Sequence, residues 1–149
     1  MTLSDLDSFL SSTLDHPRWL GKDKALNGLQ VGRKNPEVRR VAFAVDACLQ
    51  SFERAVAVDA DVLVVHHGLF WGSPLAVTGD HQRRLRYLMD HDLALWASHL
   101  PLDAHPTLGN NAGLAQALGL GNLEPFGDYR GTKIGFKGVL PSPLRLDRI

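Results

Sequence analysis

The sequence lacks the features that direct a protein to an oxidising compartment, a membrane or nucleic acid. A single cysteine, Cys48, rules out an internal disulfide and a thiolate metal site within one chain. The 16 basic and 16 acidic residues give a net charge of zero, so no general attraction to nucleic acid is expected. No apolar run approaches the roughly 20 residues that span a bilayer, and the N-terminus does not resemble a signal peptide. These absences predict a protein of the reducing cytoplasm.

The composition is that of an ordinary globular protein. Hydrophobic residues make up 44% and charged residues 21% of the 149 residues. A chain of this length buries roughly 70% of its unfolded surface, so we expect residues 1–149 to form a single domain. The apolar neighbours of Cys48 indicate a small buried residue rather than a nucleophile.

Short apolar runs alternate with amphipathic runs along the chain. Strands are predicted over 41–45, 62–65 and 93–97, and helices over 49–58, 80–90 and 111–118. Strands that are apolar on both faces and alternate with helices indicate an α/β fold. We expect a mostly parallel sheet with helices on both faces.

The segments on either side of this alternation are less regular. Ser4 is predicted as the N-cap of a first helix, which ends at His16-Pro17. Two glycines predict a tight loop over 26–32. The run 132–140 is predicted as a further strand, at an edge of the sheet.

Polar side chains follow three of the predicted strands. Asp46 follows the first strand, His66 and His67 follow the second, and His99 follows the third. Ligands of open α/β sheets bind outside the carboxyl ends of the strands. A single histidine at a strand end is usually a hydrogen-bonded bystander, but three histidines and an aspartate at one edge of one sheet favour a binding site.

The residue types at this edge are those of a metal site. Asp103, just after His99, adds a carboxylate, and mixed imidazole and carboxylate ligands suit zinc, iron, manganese and related divalent ions. Neighbouring residues of a strand face opposite sides, so His66 and His67 converge only if the strand unwinds at Gly68. If both bind, two nearby metal ions are indicated. A serine–histidine–aspartate triad is a weaker alternative, because no nucleophile-elbow sequence surrounds any serine.

Three segments, in this order, resemble the Nif-three-like family, whose members often carry the name GTP cyclohydrolase I type 2 homologue. The segments are Asn27-Gly28-Leu29-Gln30-Val31-Gly32, Val64-Val65-His66-His67-Gly68-Leu69, and His99-Leu100-Pro101-Leu102-Asp103 with Gly109-Asn110-Asn111 downstream. The first segment and the double histidine together are highly specific. The similarity runs from the N-terminal helix to Leu140-Pro141.

The resemblance implies a dinuclear metal site in an α/β fold and a toroidal homohexamer. It makes His66 and His67 ligands of two different metal ions and Asp103 the carboxylate ligand. It places His99 in the site, as a ligand or as a catalytic proton carrier, and Asp46 near the pocket. The implied cofactors are two divalent ions such as zinc, iron or manganese, and the implied substrate is a small molecule of the nucleotide class.

The sequence departs from the family pattern at three points. Gly68 stands where the family usually has proline, and Leu100 stands where it usually has threonine. Family members also carry a C-terminal histidine and glutamate, spaced H-x-x-x-E, whereas no histidine follows His105 here. We therefore expect this chain to match the N-terminal part of the family without the C-terminal metal-ligand segment. We also expect it to bind one metal ion, or to bind weakly, because a bridging carboxylate is missing.

Two classes of function are left open. The resemblance implies a metal-dependent hydrolase that opens the purine ring of GTP, although no guanine-reading motif is present. The alternative is a metal-binding scaffold or regulatory interaction protein without catalysis, and an inactive fragment is a third interpretation. Leu69, Phe70 and Trp71 belong either to the core or to the pocket mouth or a subunit contact.

Overall fold

The structure is a computed structural model, and it describes residues 1–145 and 147. The chain divides into two compact units, Met1–His99 and Leu100–Ile149. A four-stranded sheet with its helices forms the first unit, and two helices with a two-stranded sheet lie in the second. Within the described residues, no helix has the length and apolar character that would let it cross a membrane.

The first unit contains a mostly parallel sheet. Its elements are α1 (Leu3–Thr13), β1 (Gly28–Val31), β2 (Val41–Asp46), α2 (Leu49–Ala57), β3 (Val62–His67), α3 (Gly79–Asp90) and β4 (Ala94–Ala97), with a 3-10 helix at His16–Trp19 after α1. The strand order is β1-β4-β3-β2, in which β2, β3 and β4 are parallel and β1 is antiparallel. The predicted α/β fold is confirmed.

Strand β1 corrects the prediction of a loop over 26–32. Residues Gly28–Val31 pair with β4, with an irregularity between Leu29 and Val31. Gly28 enters the strand with a φ of +104°, which glycine adopts without steric strain. A strand of four residues with irregular pairing leaves too little alternation in the sequence to be recognised.

Helices cover both faces of the central strands. Leu63 and Leu95 face each other across β3 and β4 and pack with Phe52 of α2 and Leu88 of α3 in the main core. Neighbouring strand residues point to the other face. Trp96, which follows Leu95 in β4, points to the opposite face of the sheet from Leu95. Its indole N–H donates to the carboxylate of Asp7 in α1 at 2.8 Å. The expectation of helices on both faces is therefore confirmed.

Strand β2 is an edge strand and is more exposed than expected. Phe43 and Val45 are 76% and 61% exposed, so the prediction that every parallel strand is covered on both faces is wrong for β2. In the described part of the chain, β2 pairs with β3 alone. An apolar run cannot reveal whether its strand lies at the centre or at the edge of a sheet.

Helix α1 begins earlier than predicted, with Thr2 rather than Ser4 as its N-cap. The Thr2 hydroxyl accepts a hydrogen bond from the Asp5 N–H at 3.1 Å, and the Asp5 carboxylate accepts one from the Thr2 N–H at 3.0 Å. This reciprocal capping box satisfies two backbone donors at once. Ser4 lies inside the helix and is therefore not the residue that caps it.

The second unit contains α4 (Leu100–Ala104), α5 (Asn110–Ala117), β5 (Gly121–Tyr129) and β6 (Thr132–Val139). The two strands form an antiparallel hairpin of their own. The strand predicted over 132–140 therefore exists, but it does not join the main sheet as an edge. Arg130 and Gly131 form the turn with φ values of +51° and +75°, as a two-residue hairpin of type I′ requires.

A buried arginine holds the sheet edge opposite the histidines. The side chain of Arg33 is 8% exposed, and its guanidinium contacts the carboxylates of Asp61 and Asp92. Asp61 also accepts hydrogen bonds from the N–H groups of Arg39 and Arg40 at 2.8 and 2.9 Å. Burial raises the pKa of Asp61, but these hydrogen bonds and the guanidinium outweigh it and hold the pKa below its ordinary value.

The substitution Arg33→Met is expected to lower the free energy of unfolding by about 3 kcal/mol, because it removes the cation shared by two carboxylates. Urea unfolding followed by circular dichroism measures this loss. Arg39→Met is the matched control. Its ion pair with Glu37 joins side chains that are 84% and 63% exposed, and such pairs contribute less than about 1 kcal/mol. Equal losses in the two variants would contradict the structural role of Arg33.

His16 is half-buried and packs on Trp96, on the face of the sheet covered by α1. Its ring stacks on Trp96 with centroids 5.0 Å apart, and its Nε2 lies 3.0 Å from the Ser98 hydroxyl oxygen. Burial lowers the pKa of His16, against the opposing effect of the Asp7 and Asp23 carboxylates. The folded state therefore favours the neutral imidazole.

The free energy of unfolding is expected to fall between about pH 7.5 and about pH 5.5. An unfolded histidine has a pKa near 6.5, and the folded pKa of His16 is lower, so the unfolded state takes up more protons as the pH drops. His16→Gln keeps a hydrogen-bonding group near Ser98 without titrating, and it should flatten the profile measured by urea unfolding. His91→Gln, at an exposed histidine, should keep the wild-type slope. A wild-type slope in His16→Gln would refute the assignment.

Candidate metal centre

Three histidine side chains converge at the carboxyl ends of the parallel strands. His66 and His67 are the last two residues of β3, and His99 follows β4 by two residues. One ring nitrogen of each lies within 4.8 Å of the others. Among residues 1–145 and 147, no other group of three histidine, cysteine or carboxylate side chains is placed to hold a metal ion.

The register between β3 and β4 explains why these histidines meet. Val65 pairs with Ala97 in the parallel ladder, so His67 and His99 lie at the same level, two residues further along each strand. Because β4 ends at Ala97, the side of β3 that faces β4 is open beyond Val65. The ring centroids of His67 and His99 are 5.8 Å apart.

The two adjacent histidines approach each other although their strand stays regular. Unwinding at Gly68 was the expected route, but β3 includes both residues, and His67 still pairs with Asp46 of β2. The ring centroids of His66 and His67 are 4.5 Å apart with an angle of 46° between the planes. Long side chains at the last positions of a strand can reach round its end, which a rule of strict alternation does not describe.

The first two imidazoles are oriented through their Nδ1 atoms. Nδ1 of His66 lies 3.0 Å from the backbone oxygen of Ser98. Nδ1 of His67 lies 2.7 Å from the carboxylate of Asp46. These partners are acceptors, so in the neutral ring the proton sits on Nδ1. The family resemblance implied a position for Asp46 near the site, and in the structure its carboxylate contacts His67.

Asp23 orients the third ring, and sequence reasoning missed it. Its carboxylate is 3% exposed and lies 3.1 Å from Nδ1 of His99. It also accepts hydrogen bonds from the side-chain amide of Asn27 and the N–H of Ala25, both at 2.9 Å. A carboxylate behind a histidine fixes the ring tautomer and raises its affinity for a metal ion. With all three Nδ1 atoms engaged, a metal ion here would bind through Nε2.

The amide side chains of the Asn27–Gly32 segment fasten the two loops that carry the site. The Asn27 side-chain oxygen accepts a hydrogen bond from the His99 N–H at 2.7 Å. The Gln30 side-chain oxygen accepts one from the Leu69 N–H at 2.7 Å, and the Gln30 amide donates to the backbone oxygen of Leu26 at 2.6 Å. The sequence singled out these two amides only through the family resemblance, and their hydrogen bonds come from the structure.

Gly68 is a point of close approach rather than a hinge. A Cβ atom at this residue would lie 2.3 Å from the Gln30 amide nitrogen and 2.5 Å from its oxygen. A larger residue must therefore displace the amide that holds Leu69. Gln30 has a flexible side chain, so a residue with a Cβ at position 68 would require the Gln30 amide to move rather than the backbone.

The three apolar residues after the histidines divide between the core and the site. Leu69 is buried in the main core, and Phe70 packs against the same cluster. Trp71 is 39% exposed. Its ring centroid lies 4.8 Å from that of His99 and 6.0 Å from that of His67. Trp71 therefore borders the imidazoles, whereas Leu69 and Phe70 belong to the core.

Asp103, the predicted carboxylate ligand, lies in α4 of the second unit. Its side-chain oxygen accepts a hydrogen bond from the Asn110 amide at 2.9 Å. Gly109, between these two residues, would bring a Cβ atom within 2.4 Å of the His105 backbone oxygen and 2.5 Å of the Leu102 backbone oxygen. The downstream Gly-Asn motif thus has a packing role, and metal binding by Asp103 stays a prediction.

Cys48 is only partly buried, in contrast to the expected buried position. It is the N-cap residue of α2, and its sulfur lies 3.2 Å from the Ser51 hydroxyl. The hydrogen bond with Ser51 lowers the pKa of the thiol. A surface pocket of about 530 Å³ beside α2 is lined by Cys48 and Asp46 but by none of the three histidines. The pocket beside Cys48 therefore shares Asp46, but no histidine, with the histidine group.

Known proteins of similar sequence and structure share this fold. The chain is 51% identical to a Deinococcus radiodurans protein named GTP cyclohydrolase 1 type 2 homolog, over 87% of this chain and 52% of that protein. A Pyrococcus abyssi protein of the same name is 46% identical over 99% of this chain and 56% of its own length. The crystal structure of TTHA1606 from Thermus thermophilus matches with a TM-score of 0.81 and 45% identity, over 85% of this chain and 51% of that one.

The similarity covers nearly all of this chain but only part of its relatives. The chain spans about half the length of the curated relatives it matches. A Bacillus cereus protein related to NIF3 matches with a TM-score of 0.72 and 29% identity, over 83% of this chain and 34% of that protein. The family model for Duf34/NIF3 matches residues 1–149. The resemblance found in the sequence is confirmed, and the chain belongs to the Duf34/NIF3 (NGG1p interacting factor 3) family.

Proposed function

We propose that His66, His67 and His99 bind one divalent metal ion, and that the protein uses this ion to hydrolyse a nucleotide. The observation that carries the proposal is the convergence of three imidazoles whose Nδ1 atoms are all engaged by acceptors. Metal-binding histidines are almost always oriented in this way. Because bystander histidines are usually hydrogen-bonded as well, the weight of the proposal lies on the convergence of the three ring nitrogens.

The donor set suits zinc or iron. Three histidines are the protein ligands of a known type of catalytic zinc site, which leaves a fourth position for water. Tetrahedral bonds of about 2.0 Å place the nitrogens roughly 3.4 Å apart. One ring nitrogen of each histidine, either Nδ1 or Nε2, lies within 4.8 Å of the others, so binding would require the three rings to move closer together. Imidazole suits iron as well, whereas manganese prefers oxygen ligands.

Two carboxylates would compensate the charge of one divalent ion. Asp46 and Asp23 are hydrogen-bonded to His67 and His99, and together they carry two negative charges when ionised. The Asp23 side chain is 3% exposed, so solvent and salt screen its charge only weakly. The charge of the surrounding residues therefore supports a single divalent ion.

The residues around the proposed metal ion contribute by orienting the histidine rings and the loops that carry them. A bound ion of this class supplies a Lewis acid and an activated water molecule. Asp23 and Asn27 fix the ring and the backbone of His99, and Gln30 fixes the loop after His67. The contact between Nδ1 of His99 and Asp23 leaves Nε2 available, and a histidine held in this way can act as a metal ligand or as a proton carrier.

A second metal ion, implied by the family resemblance, would need ligands beyond the three imidazoles. Asp103 is the carboxylate that the sequence offers for it. The chain is expected to bind one ion tightly, in line with the prediction of a single or weakly filled site. The dinuclear arrangement, like the homohexamer and the cytoplasmic location, stays a prediction.

The name shared by the relatives is the ground for a nucleotide substrate. Proteins 51% and 46% identical to this chain are named GTP cyclohydrolase 1 type 2 homolog. The alternative is a metal-binding scaffold or regulator, which the family description as an NGG1p interacting factor favours. The two functions share the metal site and differ in whether a substrate is consumed.

Calorimetric titration with Zn²⁺ is expected to show one tight site per chain. His67→Ala removes a ligand and should abolish tight binding. Asp23→Asn keeps the size of the side chain but removes its charge, and it should weaken binding roughly 10- to 100-fold. His91→Ala is the control, because His91 is exposed and stacks on Tyr87. Two tight sites would favour the dinuclear arrangement, and unchanged binding by His67→Ala would refute the site.

Incubation of the zinc- or iron-loaded protein with GTP is expected to release a hydrolysed product detectable by liquid chromatography. His67→Ala should lose this turnover, because the metal site is broken, and His91→Ala should retain it. Tight metal binding without turnover of GTP or related nucleotides would contradict the hydrolase and support the scaffold. Equal turnover by His67→Ala would show that the activity does not come from this site.

A further inference from the structure

Trp71 differs from the other two tryptophans of the chain in its exposure. Trp19 and Trp96 are 4% and 1% exposed and belong to the core, whereas Trp71 is 39% exposed. A single exposed apolar side chain is common on protein surfaces, so the position of Trp71 matters more than its exposure. The exposed tryptophan borders the three imidazoles, with ring centroids 4.8 Å from His99 and 6.0 Å from His67.

The indole of Trp71 is anchored rather than loose. Its N–H donates to the backbone oxygen of Gly68 at 2.9 Å. Its backbone forms an antiparallel bridge with Ala25, close in sequence to the carboxylate that holds His99. The following residue, Gly72, has a φ of +65°, and a Cβ there would lie 3.3 Å from the Lys24 backbone oxygen. Both the backbone and the ring are therefore fixed in the free protein.

We infer that Trp71 is the surface on which a planar heteroaromatic ring of the substrate stacks, and that it selects for such a ring. The inference rests on the proposed function, since it names the class of molecule that the metal site would act on. The indole has one polar atom, and that atom is already used by Gly68. What Trp71 offers a ligand is its apolar π-surface, which binds flat rings by stacking.

The position of Trp71 connects this stacking surface to the metal site. Its plane makes an angle of 74° with that of His99 and 48° with that of His67. A ring stacked on the indole would lie beside the imidazoles rather than at a remote surface. Binding energy from the ring would thus position the reacting part of the same molecule, which raises the effective concentration of the reactants.

Titration of the full chain with GMP, and separately with ribose 5-phosphate, tests the inference by calorimetry. The zinc-loaded protein is expected to bind GMP and to bind ribose 5-phosphate at least about tenfold more weakly, because stacking of one base is worth about that factor or more. Trp71→Leu should lose about the same factor for GMP. Trp71→Phe keeps a flat ring without the indole N–H, and it should recover most of the lost affinity. Leu75→Ala, at an exposed leucine in the same loop, should bind GMP like the wild type.

Several results would overturn the inference. Equal GMP affinity of Trp71→Leu and the wild type would do so, as would equal binding of ribose 5-phosphate and GMP. An equal loss of affinity in Trp71→Phe and Trp71→Leu would assign the effect to the hydrogen bond with Gly68 instead of the ring. Zinc affinity is measured for the same variants and should not change. If zinc fails to bind the wild type, the proposed metal site fails, and GMP titration of the metal-free variants still decides the role of Trp71.

Discussion

The parallel pairing of β3 with β4 is the constraint on which the rest of the site depends. It sets Val65 opposite Ala97 and so brings the residues that follow both strands to the same level. A shift of the register by one residue would turn the buried side chains of β3 to the wrong face and separate His67 from His99. The core packing of Leu63 and Leu95 thus fixes the geometry of the imidazoles as well as the stability of the unit.

The two ends of the sheet have different tasks. At the amino ends of the parallel strands, Arg33 joins Asp61 and Asp92 in a compensated network that holds the loops together. At the carboxyl ends, Asp23 and Asp46 hold imidazoles instead of cationic side chains. Aspartate therefore pairs with a cationic side chain at one end of the sheet and orients imidazole rings at the other.

The parts of the fold that follow strong periodicity were predictable from the sequence. Long or fully apolar patterns predicted β3, β4, α2 and α3. The rule that ligands bind at the carboxyl ends of parallel strands was enough to group His66, His67 and His99. β1 and β5 were missed, since a short irregular strand and a solvent-exposed hairpin carry weak patterns. The Arg130-Gly131 turn was the one local signal of that hairpin.

The residues that orient the histidines were harder to predict than the histidines themselves. Asp23 precedes β1 in an irregular segment, and its partner His99 is 76 positions away in the sequence, so no spacing rule connects them. Asn27 and Gln30 were visible as a motif, but their hydrogen bonds depend on β1 running antiparallel to β4. The direction of a strand is a property of the whole sheet and cannot be read from four residues.

The arrangement of the site along the chain has a consequence for how it is made. Every group that holds the three imidazoles, from Asp23 to His99, lies in the first unit. Synthesis proceeds from the N-terminus, and domains generally fold as units in that order. A nascent chain therefore contains the three imidazoles and the acceptors of their Nδ1 atoms before the second unit has been added. If the three imidazoles bind a metal ion as proposed, that ion would be able to bind while the second unit is still being made.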